Sequence, residues 1–144
     1  MQHQPSFHIG IYGLMSDWIG VSVGGSLDLV CLVRQGVSVN ALDVLHRLGC
    51  PVADMAWIIS RRTRKRRNAN NALLTAAETS RFLQWLRLRA AAEIVFGDAD
   101  KASCWIIQPL PVFKGMSPAE IMKTGVGSAL IDDVLMQIDS GYFA

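Results

Sequence analysis

From residue 26 onward, apolar positions recur at intervals of three and four, the period of an α-helix. Ser26 is a candidate cap for a helix running to about Gln35, and Gly36 ends it. Ser38 can cap the next, which carries Val39, Leu42, Leu45 and Leu48 at helical spacing; Gly49-Cys50-Pro51 stops it. A short helix is expected from Val52 to about Ile58, and Ser60 then caps a helix through a basic run. Residues Asn68 to Leu74 are polar and turn-like. Thr75-Ala76-Ala77-Glu78 is a capping box, in which the Thr hydroxyl accepts from the third amide and the Glu reaches back to the cap. It opens the longest helix, Ala76 to Phe96, whose Phe82, Leu83, Trp85, Leu86, Ala90, Ile94 and Val95 form a face wide enough to need several neighbours. Gly97-Asp98 ends that helix and caps another, with Ala102, Trp105 and Ile106 facing inward until Pro109 and Pro111. Ser117-Pro118-Ala119-Glu120 is a second capping box with Pro at the first helical position, where its missing N–H costs nothing. After Thr124-Gly125, a final helix shows Val126, Leu130, Ile131, Val134, Leu135 and Ile138 on one stripe; Gly141 ends it before the apolar tail Tyr142-Phe143-Ala144. The first 25 residues mix five glycines with Phe7, Ile9, Ile11, Trp18 and Ile19, and read as an arm that packs loosely or on a dimer partner.

The pattern predicts an all-α chain with three parts: the arm (1–25), a helical domain (26–96) and a smaller helical domain (97–144). With 144 residues, 51% of them apolar, the chain can build a core and is not a disordered segment. No apolar run approaches the roughly 18 residues of a membrane span, and Met1 to Pro5 lacks the basic-then-apolar pattern of a secretory signal. Three widely spaced cysteines argue against a disulfide framework, so a cytoplasmic location is expected. Charge then divides the molecule. Residues 1–96 carry 11 Lys/Arg against 6 Asp/Glu, a net of +5, and residues 97–144 carry 3 against 6, a net of −3. A chain with one basic and one acidic part commonly meets two different partners.

Six of the seven residues from Arg61 to Arg67 are basic. On one short helix they repel one another, and an anionic partner relieves that repulsion. Two short helices joined by a tight turn, the second of them basic, form the pattern of a helix-turn-helix. Ser60, Arg61, Arg62, Thr63, Arg64, Lys65, Arg66 and Arg67 are therefore candidate DNA contacts, with Ser60, Arg61 and Arg64 placed toward base edges and the other cations toward phosphates. The tail Gly141-Tyr142-Phe143-Ala144 reads equally as packing on its own domain or as an anchor in a partner. Gly20-Val21-Ser22-Val23-Gly24 matches a nucleophile elbow, but the only later histidine is His46 and the chain has no room for the large parallel sheet that the elbow needs. Gly125-Val126-Gly127 lacks the third glycine and the preceding strand of a dinucleotide site. His46 and Cys50 are two potential ligands where zinc needs three or four, and read as a partly buried His and a packed Cys. Asp132 and Asp133 read as carboxylates favouring a helix dipole. No catalytic set, cofactor site or metal site is expected.

These stretches in order resemble the Xre/MbcA/ParS antitoxins. Ser60-Arg61-Arg62-Thr63-Arg64-Lys65-Arg66-Arg67 is similar to the Ser-x-Arg-Thr-x-x-x-Arg helix of that family, with Arg64 where the family often has Leu. It is followed, as in the family, by Leu74-Thr75-Ala76-Ala77-Glu78-Thr79-Ser80-Arg81. Ala92 to Asp98, Lys101 to Trp105, Gly115 to Met122 and Ile138 to Ala144 resemble the family's C-terminal part. The resemblance implies a homodimer encoded beside a toxin. That toxin is most often a RES-domain enzyme that consumes NAD, and less often an ADP-ribosyltransferase of the ParT kind. It further implies that the C-terminal domain covers the toxin's active-site entrance, with Ile138, Gly141, Tyr142, Phe143 and Ala144 close to it, and that the basic helix binds the operon's own promoter. A stand-alone helix-turn-helix regulator, using the same basic helix without a toxin, is the competing reading.

Overall fold

A computed structural model of the chain describes residues 5–141. Among them there are nine α-helices and no strand, so the expected all-α class holds. The helices are α1 (Pro5–Ile19), α2 (Ser26–Gln35), α3 (Asp43–Arg47), α4 (Val52–Ile58), α5 (Arg61–Asn70), α6 (Ala76–Phe96), α7 (Ala99–Ile106), α8 (Pro118–Lys123) and α9 (Ser128–Asp139). Short 3-10 turns, Val39–Leu42 and Pro111–Phe113, precede α3 and α8. No helix among the described residues is long and apolar enough to cross a membrane.

Helix α6 is the axle of the fold. It touches α1, α2, α4, α7, α8 and α9. The Thr75–Glu78 capping box forms as expected, and Gly97, in the left-handed region at φ 66°, ends the helix. Phe82, Trp85, Leu86 and the run Ala90–Ala92 are buried, so α6 is covered by neighbours on several sides. Its one fully buried cation, Arg89, is used as a tie. The guanidinium donates to Glu93 Oε1 (2.8 Å), Ser103 Oγ (3.2 Å) and the carbonyl of Ala99 (3.1 Å), and lies 6.0 Å from the Trp18 ring. One side chain thereby joins α6 to α7 and to the end of α1.

Several local expectations are corrected. The segment read as a loose arm is a 15-residue helix whose Phe7, Ile11, Tyr12 and Met15 are buried, and α6 is the element it packs on. Its apolar residues at 7, 11 and 15 repeat every fourth position, a stripe that the interspersed glycines obscure. Ser26 does not cap α2: Gly25 is the cap residue, with no side-chain bond, and the Ser26 hydroxyl meets the Tyr12 hydroxyl at 2.9 Å. Helix α5 runs on to Asn70 through residues expected to be turn, and Asn71 ends it in the left-handed region. Val126, placed on the stripe of the last helix, precedes α9 and is 88% exposed. Leu130, on the same expected stripe, is also exposed. Gly36 ends α2 as expected, and it must be glycine: φ is 79°, and a Cβ there would come 2.7 Å from the Leu74 carbonyl oxygen. That approach lets Leu74 N–H donate to Val37 O (2.8 Å) and Val39 N–H to Ala72 O (3.0 Å), stitching the α2–α3 link to the α5–α6 link.

Candidate functional site

Helices α4 and α5 are separated by Ile59 and Ser60. Ser60 caps α5 as expected, accepting from Thr63 N–H (3.2 Å), while its hydroxyl donates to Thr63 Oγ1 (2.8 Å). Helix α5 has no buried residue, so charge rather than apolar contact orients it. Two of its cations point inward. Arg64 Nη1 donates to Met55 Sδ (3.2 Å) and lies 3.4 Å from His46 Nε2, and Nη2 is 3.7 Å from Asp43 Oδ1. Arg67 pairs with Glu78, the capping-box carboxylate of α6. Arg61, Arg62, Lys65 and Arg66 are exposed, with no ion pair among the described residues. At 100° per residue these four fall within one 140° arc, so the helix presents a continuous cationic face.

The scaffold behind that face is polar and tightly bonded. Asp54 of α4 is buried, and its two carboxylate oxygens are used separately. Trp85 Nε1–H of α6 donates to Oδ2 (3.1 Å), and Lys123 Nζ of α8 meets Oδ1 at 2.6 Å. Arg81 Nε of α6 donates to the Ile58 carbonyl (3.1 Å) at the end of α4. The helix ahead of the basic one is thus held by the central helix and by a lysine from the C-terminal part. Cys50 lies beside this network; burial, with the Asp54 carboxylate adding to it, pushes its thiol from 9.0 up to about 12. His46, expected to be partly buried, is exposed. No group of three His, Cys, Asp or Glu side chains among the described residues is placed to hold a metal ion.

The second candidate region lies at the other end of α6. An apolar cleft of about 420 Å³ is lined by Phe96, Trp105, Leu110, Pro111, Val112, Val134 and Ile138. The Phe96 and Trp105 rings stand 5.6 Å apart in it, tilted by 52°. Ile138 therefore sits on the cleft wall, and Gly141, exposed and at φ 87°, closes the last turn after α9. Tyr142, Phe143 and Ala144 lie outside the described residues. Helix α9 is fastened to α6 by a bidentate pair, Arg87 to Asp132, with both bonds at 3.0 Å. Burial opposes the charge of Arg87, but the Asp132 carboxylate outweighs it and raises the pKa. Asp132, read from sequence as a dipole-favouring carboxylate at a helix start, is this anchor instead.

Residues 91–141, the span that builds most of this cleft, match the family described as the antitoxin Xre/MbcA/ParS C-terminal toxin-binding domain. The antitoxin Xre of Pseudomonas putida is 36% identical over 85 residues, covering 59% of this chain and 54% of that protein. Over these residues the chain is similar to the Xre/MbcA/ParS antitoxins. It spans about half the length of the Pseudomonas relative. Another antitoxin Xre, from Yersinia enterocolitica, is 28% identical over 130 residues and covers 88% of both chains. A protein named Prs ADP-ribosylating antitoxin, from a Sphingobium species, is 27% identical over 131 residues, 82% of each chain.

The eight basic-helix candidates divide into three groups. Arg61, Arg62, Lys65 and Arg66 share an open face, Ser60 and Thr63 form the cap, and Arg64 and Arg67 turn onto the protein. A helical projection counted from the Ser60 cap separates the first and last of these sets. No sequence signal marked Asp54, Arg89 or Lys123, because each owes its role to a partner distant in sequence or to its burial.

Proposed function

We propose that this chain is a non-enzymatic antitoxin that silences a cognate toxin through its C-terminal domain and represses its own promoter through α5. The match of residues 91–141 to a toxin-binding domain carries the first half of the reading, because those residues build an apolar cleft next to the chain's last helix. Apolar and aromatic side chains in a cleft are what a partner's anchor residues need. The cleft and the segment from Ile138 through Gly141 into Tyr142-Phe143-Ala144 cover the entrance to the toxin's active site and block it sterically. A RES-type enzyme that consumes NAD is the first choice of toxin. An ADP-ribosyltransferase is the second, favoured by the name of the Sphingobium relative.

The cationic face of α5 supports the second half. Four exposed, unpaired cations on one arc suit the phosphates of a DNA backbone, and binding there should weaken steeply with salt as counterions are released. Arg64 and Arg67 are assigned to holding the helix, not to reading DNA. The test of the whole reading is co-expression with the product of the neighbouring gene, with a tag on this chain alone. A co-purifying partner whose NAD consumption is suppressed in the complex supports the antitoxin. A chain that comes down alone, and leaves its neighbour's activity untouched, leaves only the promoter-binding regulator.

A further inference from the structure

The ends of α1 and α2 and the start of α3 converge on a cleft of about 530 Å³. Neither half of the proposed function uses it. It lies outside residues 91–141, and none of the four open cations of α5 lines it. Its volume is that of sites that hold small organic molecules. Trp18 and Val21 line it from the end of α1 and the loop beyond, Leu32 and Val37 from the end of α2, and Val44 from α3. Val37 and Val44 are buried, and Trp18 and Leu32 pack against the core, so this apolar floor is fixed by the fold. The Trp18 ring is held in turn by Arg89, whose guanidinium lies 6.0 Å from its centroid. Val21, by contrast, is 47% exposed, an apolar surface that an apolar ligand would cover.

Charge selects the occupant. Asp43 and Arg47, one turn apart on α3, are the charged side chains that line the cleft. They form no ion pair with each other. Asp43 Oδ1 lies 3.7 Å from Arg64 Nη2 on α5, so its charge is met within the chain. Arg47 is exposed and has no ion pair or hydrogen-bond partner among the described residues. The polar groups beside them are engaged. Ser38 Oγ accepts from Asn40 N–H (3.2 Å), and Asn40 Nδ2 donates to Asn71 Oδ1 (3.1 Å). The cleft therefore combines an apolar floor with one unpaired guanidinium, whose planar fork fits a carboxylate.

We propose that this cleft binds a small aromatic monoanion, its ring on the floor formed by Trp18, Val37 and Val44 and its carboxylate on Arg47. One unpaired cation matches one negative charge, whereas the second charge of a dianion would meet Asp43. The proposal rests on neither the toxin nor the promoter assignment, and the full chain alone tests it.

Benzoate, phenylacetate and indole-3-acetate are the probes, titrated into the isotopically labelled full chain and followed by amide chemical shifts. At least one should saturate with a dissociation constant below about 1 mM, moving the amides of Val21, Ser38, Val44 and Arg47 and leaving those of Trp105 and Val112 in place. The neutral alcohol of the same skeleton should bind roughly tenfold more weakly, because it gives up the charge-assisted bond. Arg47→Gln should weaken the carboxylate by a similar factor and leave the alcohol alone. Val21→Asp should weaken both. Arg47 and Val21 are exposed, so the far-UV circular dichroism of both variants should be retained. Saturation by none of the three probes, shifts confined to the cleft around Trp105 and Ile138, equal binding of carboxylate and alcohol, or a carboxylate indifferent to Arg47→Gln would each overturn the proposal.

Discussion

Helices α2 and α5 have the same length, ten residues, and neither buries a single one of them. They solve the problem of staying attached in opposite ways. Helix α2 leans on α6 through Leu29, Leu32 and Val33, and leaves a second apolar stripe in water. Helix α5 has almost no apolar side chain to bury. Its Ser60 cap and two inward arginines hold it, Arg64 toward α3 and α4 and Arg67 on Glu78. A helix held by charge on one side is free to carry like charge on the other. The difference fits the polyanion proposed for α5, whereas the outward stripe of α2, Leu27 and Val30, stays open to solvent.

The sharpest way to break this comparison is to neutralise the open arc of α5. Replacing Arg61, Arg62, Lys65 and Arg66 together with Ala should reduce promoter affinity by at least a hundredfold near physiological salt. It should also flatten the dependence of log affinity on log salt by up to about 3–4. Fluorescence anisotropy over a salt series reads both, and toxin protection should be unchanged. An unaltered salt slope would mean that this face meets no phosphate.

A smaller effect is expected on stability. Glu78→Ala removes the partner of Arg67 and half of the α6 capping box, and should cost roughly 2–3 kcal/mol in urea unfolding. Lys123→Met should cost a similar or slightly smaller amount, because it leaves the buried Asp54 carboxylate with only the Trp85 N–H. A loss below about 0.5 kcal/mol for either variant would show that these ties are surface decoration.

Arg64→Leu, which introduces the side chain common at this place in the antitoxins that the basic helix resembles, tests the inward role more gently. Its contacts are to Met55, His46 and Asp43, so promoter affinity should change less than threefold while stability moves by about 1 kcal/mol or less. A tenfold loss of affinity would return Arg64 to the DNA-reading face.

The mildest test concerns cysteines. At neutral pH, Cys104 should be alkylated readily and Cys50 should resist until the chain unfolds, as mass spectrometry of labelled peptides would show. The raised thiol of Cys50 favours the folded state below its ordinary pKa of 9.0. That contribution is lost as pH climbs from there toward about 12, so Cys50→Ala should flatten the alkaline limb of the stability profile. Equal labelling of Cys50 and Cys104 in the folded chain would contradict this.

Much of the secondary structure was legible because its signals are local. Both capping boxes, the Ser60 and Asp98 caps and the Gly36 and Gly97 stops form where the residues place them. Misreadings arose where a local signal was weak or was overridden. Glycines hid the stripe of α1. Asn68 and Asn70, poor helix formers, stay helical, and the chain turns only at Asn71, whose N–H bonds back to the Asn68 carbonyl. The glycines at 125 and 127, rejected as part of a nucleotide fingerprint, have a packing reason at Gly127. A Cβ there would come 2.4 Å from both the Ile121 Cγ2 atom and the Ile121 carbonyl oxygen, so α8 and α9 approach as closely as they do only without a side chain.

By itself the sequence determined the helical class, most helix boundaries and the basic character of α5, since caps, periodicity and charge runs act over a few residues. Tertiary structure decided which of the six cations are spent inside the protein and which remain for a partner. It decided that a buried aspartate ties α4 to Lys123 of the C-terminal part, that an arginine sits sealed at the α6–α7 junction, and that the stripe of α2 faces outward. Those outcomes depend on which distant side chain arrives opposite each group, and on the cost of burying a charge without one.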